Sequence, residues 1–189
     1  MSNKILAGID EVGRGCLAGP VVSCVVILKQ NIKKKLLKDS KVISFRNRIY
    51  IADHIKKNSW FSIGIATVSE IDKYNILNAS MLSMERAVNK LKKKPDLYLI
   101  DGVHAPKKMK NFKTIIKGDQ KIKCISAASI VAKVYRDLYM IKLSRRFPNY
   151  KWHKNFGYGT FQHLNALKKF GVTSYHRRSY KPVHNILSK

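Results

Sequence analysis

The sequence predicts an α/β domain, and three observations carry that prediction. Short apolar runs rich in β-branched residues, the pattern of buried strands, recur at residues 5–10 (ILAGID), 21–28 (VVSCVVIL) and 97–100 (LYLI). The stretches between and after them place apolar residues at helical spacing. Two of the strand-like runs lead into carboxylates, Asp10-Glu11 and Asp101. In open α/β sheets the ligand crevice lies beyond the carboxyl ends of the strands.

Taken in order, residues 5–10 and 21–28 are the first two strands. Lys33, Lys34, Lys35 and Lys38 surround a loop ending in Asp39-Ser40-Lys41. Ser44 is placed to cap a helix reaching about residue 57, with Ile49, Ile51, Ala52 and Ile55 on its apolar side. Residues 60–68 alternate as a third strand, and a turn is expected at 72–75. A helix follows over about 76–91, where Leu77, Met81, Met84 and Val88 recur at the spacing of a core-facing stripe. Pro95 breaks it. Residues 97–100 form a fourth strand ending at Asp101-Gly102, and 112–116 a weaker fifth running into Gly118-Asp119. Ser126 opens a long helix to about residue 143, stopped before Pro148. A last helix near 160–170 precedes a basic C-terminal segment. No internal repeat and no linker rich in Gly, Ser or Pro divides the chain. A single domain over residues 1–189 is expected, with about 145–189 forming a helical, basic part.

The charge balance is extreme: 38 Lys and Arg against 11 Asp and Glu, a formal net charge of +27. Such a field attracts polyphosphate, with affinity drawn mainly from counterion release. A compositional drift toward Lys, Asn and Ile would produce the same excess, so charge alone names no function. The three cysteines, Cys16, Cys24 and Cys124, are widely spaced and form no Cys-x-x-Cys pair. Reduced thiols in a cytoplasmic protein are the simplest reading. The longest apolar run, 17–28, is too short to span a bilayer and contains Gly19 and Pro20; Asp10, Glu11 and Arg14 before it argue against a signal peptide.

With so few acids in the chain, their placement is informative. If the strands at 5–10 and 97–100 are parallel neighbours, Asp10 and Asp101 share one crevice, and Asp119 follows a third strand-like stretch toward the same place. Glu11 joins them only if the chain bends after Asp10, because strand side chains alternate faces; Val12-Gly13 permits such a bend. Crowded carboxylates repel one another unless a cation neutralises them, and all-oxygen ligands favour Mg²⁺ or Mn²⁺ over zinc. Each Asp would equally serve as an ordinary helix or turn cap, and position alone leaves the two readings even. Gly13-Arg14-Gly15 lacks the spacing of dinucleotide and P-loop fingerprints. It suits either close backbone approach to a nucleic-acid strand or a plain turn between strands.

The segment 8–22 (GIDEVGRGCLAGPVV) resembles the first signature of the type 2 ribonuclease H family, ribonuclease HII. So do Asp39-Ser40-Lys41, residues 71–87 (IDKYNILNASMLSMERA), 100–102 (IDG) and 125–137 (ISAASIVAKVYRD). Residues 157–160 (GYGT), His163 and His176-Arg177 complete the resemblance, in family order over nearly the whole chain. It implies a ribonuclease H-like fold: a central mixed five-stranded sheet flanked by helices, with a small helical C-terminal part.

The resemblance also implies roles. Asp10, Glu11, Asp101 and Asp119 match the family's catalytic, metal-holding acids, with two Mg²⁺ or Mn²⁺ ions in the active complex. Asp137 is expected to be structural or to lie behind the ligands. Gly13, Arg14 and Gly15 would read the 2′-hydroxyl at the junction between ribonucleotide and DNA, the group that separates RNA from DNA. Tyr158 would pack against the deoxyribose after it. Ser40 and Lys41 would help hold a phosphate, while Arg177 and Arg178 would contact the nucleic-acid backbone. The expected activity is endonucleolytic hydrolysis of the RNA strand of RNA–DNA hybrids, and cutting 5′ of ribonucleotides embedded in duplex DNA. The products would carry 3′-hydroxyl and 5′-phosphate ends. A monomer suffices, and no membrane partner is expected. Two positions depart from the family pattern: Cys16 stands where proline is usual, and Val42-Ile43 replaces Lys-Leu. The competing readings are a non-catalytic basic nucleic-acid-binding protein and a DNA-directed nuclease of the same fold.

Overall fold

The computed structural model describes residues 4–30, 32, 37 and 44–188. Its centre is a five-stranded sheet in the order β3-β2-β1-β4-β5. The strands are β1 (Leu6–Val12), β2 (Val21–Leu28), β3 (Ser59–Ala66), β4 (Leu97–Asp101) and β5 (Phe112–Ile115). β1 pairs antiparallel with β2, and β2 antiparallel with β3; β1, β4 and β5 run parallel. This is the mixed sheet the resemblance implied. β2 is buried almost throughout because both its faces are covered, which is why it reads as a continuous apolar run. β3, with β2 on one side only, alternates buried and partly exposed residues.

Helices α1 (Phe45–Lys57) and α4 (Lys123–Arg146) cover one face of the sheet, and α2 (Val68–Lys90) the other. On the first face Cys24 and Val26 pack with Ile51 and Ile55 of α1 and with Ala127, Ile130 and Val131 of α4. On the second, Ala7, Ile9, Val25 and Ile100 pack against Met84 and Ala87 of α2. Gly8 faces α4 so closely that a Cβ there would lie 2.1 Å from the Cys124 carbonyl carbon. The bare backbone at that position lets the start of α4 rest directly on β1. Beyond the sheet, α5 (Trp152–Asn155), α6 (Phe161–Phe170) and α7 (Lys181–Leu187) gather round the far half of α4. Their shared core holds Leu17, Met140, Leu143, Trp152, Leu167 and Val183. The short helix α3 (Gly118–Lys121) links β5 to α4.

Several boundaries differ from expectation for identifiable reasons. β1 continues through Asp10 and Glu11 to Val12, because residues 8–12 pair with 22–26 of β2. The turn expected at 72–75 contracts to a single kink at Asn75 (φ 65°) inside α2. That helix starts early because Thr67 and Glu70 form a reciprocal capping box. α4 begins before Ser126, whose amide already donates to the Ile122 carbonyl. Among the described residues no helix is long and apolar enough to cross a membrane.

Candidate active site

The pairing of β1 with β4 ends at Ile9 opposite Ile100, so Asp10 and Asp101 are the next residues on adjacent parallel strands. Asp10 has the same parity as Gly8 and therefore faces α4. There the hydroxyl of Ser129 hydrogen-bonds its carboxylate, while the Glu11 amide donates to Oδ1 at 2.7 Å. Asp101 accepts a 2.6 Å hydrogen bond from the amide of Gly118, the first residue of α3. Asp119 follows directly and is buried. Glu11 alternates to the other side of the strand, at the lip of the sheet, and one of its oxygens pairs with Arg14 Nη1 at 3.1 Å.

Burial pushes the Asp10 carboxyl well above its ordinary value, and the charges of Glu11 and Asp101 push in the same direction. Burial also raises Glu11; Arg14 opposes that rise and Asp101 adds to it. These three acids therefore act on one another electrostatically. The second oxygen of Glu11, Oε2, is buried and has no hydrogen-bond partner. An unpartnered buried carboxylate oxygen beside like charges is costly unless a cation approaches. The donor set, oxygen throughout, fits a hard divalent ion. Among the described residues no three acidic, histidine or cysteine side chains stand close enough together, as they lie, to hold a metal ion.

Next to the acids, the segment between β1 and β2 is fixed from beneath by two fully buried arginines. Arg136 of α4 donates through Nε to the Pro20 carbonyl, through Nη2 to Ala18 and through Nη1 to Phe156, at 2.8–2.9 Å. Arg177 donates to the carbonyls of Gly13 (2.6 Å), Arg14 (2.8 Å) and Gly19 (2.8 and 3.0 Å). Gly13 has φ +95°, and a Cβ on it would lie 2.2 Å from Arg136 Nε, so both conformation and space demand glycine. Arg14 and Gly15 remain exposed above this support. The expected contact of Arg177 with nucleic acid is thus corrected: its guanidinium is sealed inside, spent on the protein's own carbonyls. Arg178 is exposed.

Tyr158 sits across from the glycine segment through a bridge between its backbone and that of Cys16. Its side chain is 40% exposed, and Lys133 Nζ lies 5.8 Å from the ring centroid. Burial of the hydroxyl pushes it up to about 12. Cys16, at the position where the family usually has proline, is completely buried. Asp137 is likewise buried and is held by Lys133 at 2.8 Å and Arg48 at 3.3 Å. Ser40, Lys41 and the Val42-Ile43 departure lie outside the described residues.

Ser129, Arg136 and the supporting role of Arg177 were missed by sequence reasoning. Ser129, Arg136 and Arg177 all lie within the signature segments, yet the residue types alone do not reveal which backbone or carboxylate they reach.

A family model described as Ribonuclease HII matches residues 7–183. The chain is 56% identical over 186 residues to a ribonuclease HII of Pelagibacter ubique, covering 97% of this chain and 100% of that protein. It is similar to the solved ribonuclease H2 of Pyrococcus horikoshii OT3, with a TM-score of 0.79, 26% identity and 97% of each chain covered. It also shares its fold with Bst-RNase HIII, solved in complex with Mn²⁺. There the TM-score is 0.71 at 15% identity, over 98% of this chain and 70% of the other.

Proposed function

The chain belongs to the ribonuclease HII family and is an endoribonuclease acting on RNA–DNA hybrids, and we propose that it also cuts 5′ of ribonucleotides embedded in duplex DNA, at a site formed by Asp10, Glu11, Asp101 and Asp119. The observation that carries this reading is the burial of Asp10 against the charges of Glu11 and Asp101, with Glu11 Oε2 left without a partner. These acids would hold Mg²⁺ or Mn²⁺, which when bound, as a pair, lower the pKa of the attacking water and stabilise the departing oxygen.

The remaining work falls to the chain's own residues. Ser129 and the Glu11 amide orient the Asp10 carboxylate, and the Gly118 amide orients Asp101. Such fixed orientation spares the site from reorganising as the phosphodiester reacts. Gly13, Arg14 and Gly15, braced by Arg136 and Arg177, present the surface that meets the 2′-hydroxyl. The half-exposed ring of Tyr158 packs on the following deoxyribose, with Lys133 supplying positive charge beside it. Ser40 and Lys41 assist by holding a phosphate. Arg178 and other exposed basic residues attract the duplex without reading sequence. Hydrolysis leaves a 3′-hydroxyl and a 5′-phosphate and needs no covalent intermediate. The unit acts as one domain over residues 1–189 and as a monomer; its three free, buried thiols suit the reducing cytoplasm.

The test is a duplex carrying one ribonucleotide, incubated with Mg²⁺ or Mn²⁺ beside an all-DNA duplex of the same sequence. Cleavage of the first alone, at its 5′ side, is expected. A mobility shift without cutting under either ion supports a plain nucleic-acid binder, and equal cutting of both duplexes supports a DNA-directed nuclease.

A further inference from the structure

Behind Tyr158 lies a buried chain of polar groups that the proposed reaction does not use. His163 of α6 is completely buried and His176 nearly so. His163 Nδ1 is 2.8 Å from the Tyr158 carbonyl oxygen. A carbonyl only accepts, so this nitrogen carries the proton and Nε2 is bare. Nε2 then accepts from Trp152 Nε1–H at 3.0 Å, a group that only donates, and its single lone pair is shared with His176 Nε2, 3.1 Å away. His176 Nδ1 accepts from the Thr173 amide at 3.0 Å and from the Thr173 hydroxyl at 2.9 Å, whose oxygen in turn accepts from the Tyr175 amide, which places the His176 proton on Nε2, facing His163. Every tautomer follows from its neighbour. Both rings are thereby neutral, in keeping with burial holding His163 below its ordinary value and His176 down at about 3.

The chain ends on the backbone of Tyr158, whose amide donates to the Asn155 carbonyl at 2.8 Å. The preceding carbonyl, that of Gly157, accepts from Leu17 in the glycine segment at 2.7 Å. The ring of Tyr158 therefore stands where these backbone contacts put it. We propose that His163 is a positioning residue. Its Nδ1–H, locked in that tautomer by Trp152 and His176, fixes the Tyr158 backbone and so sets selectivity for an isolated ribonucleotide over continuous RNA. The proposal rests on the reading of Tyr158 as the group that packs at the junction.

Two variants separate the donor from the acceptor. In His163→Asn the amide nitrogen can take the place of Nδ1–H; in His163→Gln an oxygen can take the place of Nε2, and the donor is lost. The readout is the ratio of kcat/KM on a single-ribonucleotide duplex to that on a long hybrid. We expect His163→Gln to lower the ratio roughly five- to tenfold, the equivalent of one hydrogen bond, and His163→Asn to restore it to within about twofold. Deuterium exchange at residues 156–159 should rise in His163→Gln and not in His163→Asn. A ratio and exchange equally disturbed in both variants, or in neither, overturns the proposal. Nitrogen-15 NMR of the unmodified protein gives a check that needs no variant. His163 protonated on Nδ1 and His176 on Nε2 at neutral pH supports the proposal, and any other assignment overturns it. Tyr158→Ala distinguishes the two levels. A ratio unchanged in Tyr158→Ala defeats the junction reading itself, whereas a ratio that falls there but not in His163→Gln defeats the positioning role alone.

Discussion

Replacing Arg177 tests the link between a buried residue and substrate recognition. Its guanidinium serves the carbonyls of Gly13, Arg14 and Gly19 and also donates to the Tyr180 hydroxyl at 2.9 Å. In Arg177→Ala three carbonyls lose this donor, at about 1–3 kcal/mol each. Against that loss stands the relief of no longer burying a cation, itself several kcal/mol. The Arg14 carbonyl keeps the Tyr180 hydroxyl as a donor, so the two effects largely offset and the net expectation is a loss of about 1–3 kcal/mol. Arg177→Lys keeps the charge but not the planar fork of donors, so it satisfies fewer carbonyls. It should cost about 1–2 kcal/mol, one or two hydrogen bonds, and leave the protein folded. The assay pairs urea unfolding with steady-state cleavage of a hybrid by the lysine variant. A KM raised roughly tenfold is expected, because the support of Gly13 to Gly15 shifts while Asp10 and Asp101 stay on their strands. A lysine variant with unchanged unfolding midpoint and unchanged KM would refute the reasoning.

Tyr158→Ala should slow cutting at an isolated ribonucleotide more than within a long hybrid; equal slowing of both removes its junction role. Asp137→Ala removes the buried carboxylate that Arg48 and the partly buried Lys133 share. It should cost about 3–5 kcal/mol in denaturant unfolding, with the surviving folded fraction keeping its kcat. The histidine chain predicts a pH dependence of known sign. Because His176 titrates at about 3 when folded and near 6.5 when unfolded, its contribution is whole above 6.5 and erodes as pH falls toward 3, by about 1.4 kcal/mol per unit. Asp10 and Glu11, pushed up by burial, act in the opposite sense. Unfolding of the unmodified protein and of His176→Gln from pH 8 to pH 4 isolates the histidine: the stability gap between them should shrink on acidification, and a constant gap would count against it.

The strands were legible because their signal is local: a buried strand needs a short apolar run whatever surrounds it, and all five expected strands are present within a few residues. The neighbourhood of Asp10 and Asp101 was legible for the same reason, since two parallel strands that each lead into an acid place those acids side by side. Asp119 was harder, because it lies on a four-residue helix that no periodicity announces. Arg177 shows where residue type misleads. A basic residue in a basic segment reads as a phosphate contact, and only the fold reveals that the carbonyls of a segment some 160 positions earlier turn toward it. The pairing of His163 with His176 is invisible for a similar reason, as ring-to-ring contact depends on how α6 meets the residues that precede α7. The kink at Asn75 left the strongest helical pattern intact but made its lower half read as a turn.

Titrating the protein with Mn²⁺ and following free ion by electron paramagnetic resonance, for the unmodified chain and for Asp10→Asn, tests the acidic site most directly. The expected result is binding by the unmodified protein, and in Asp10→Asn an affinity lowered at least tenfold together with lost turnover and retained duplex binding. Asp10→Asn that takes up Mn²⁺ with the same stoichiometry and affinity, or that still cuts, would contradict it.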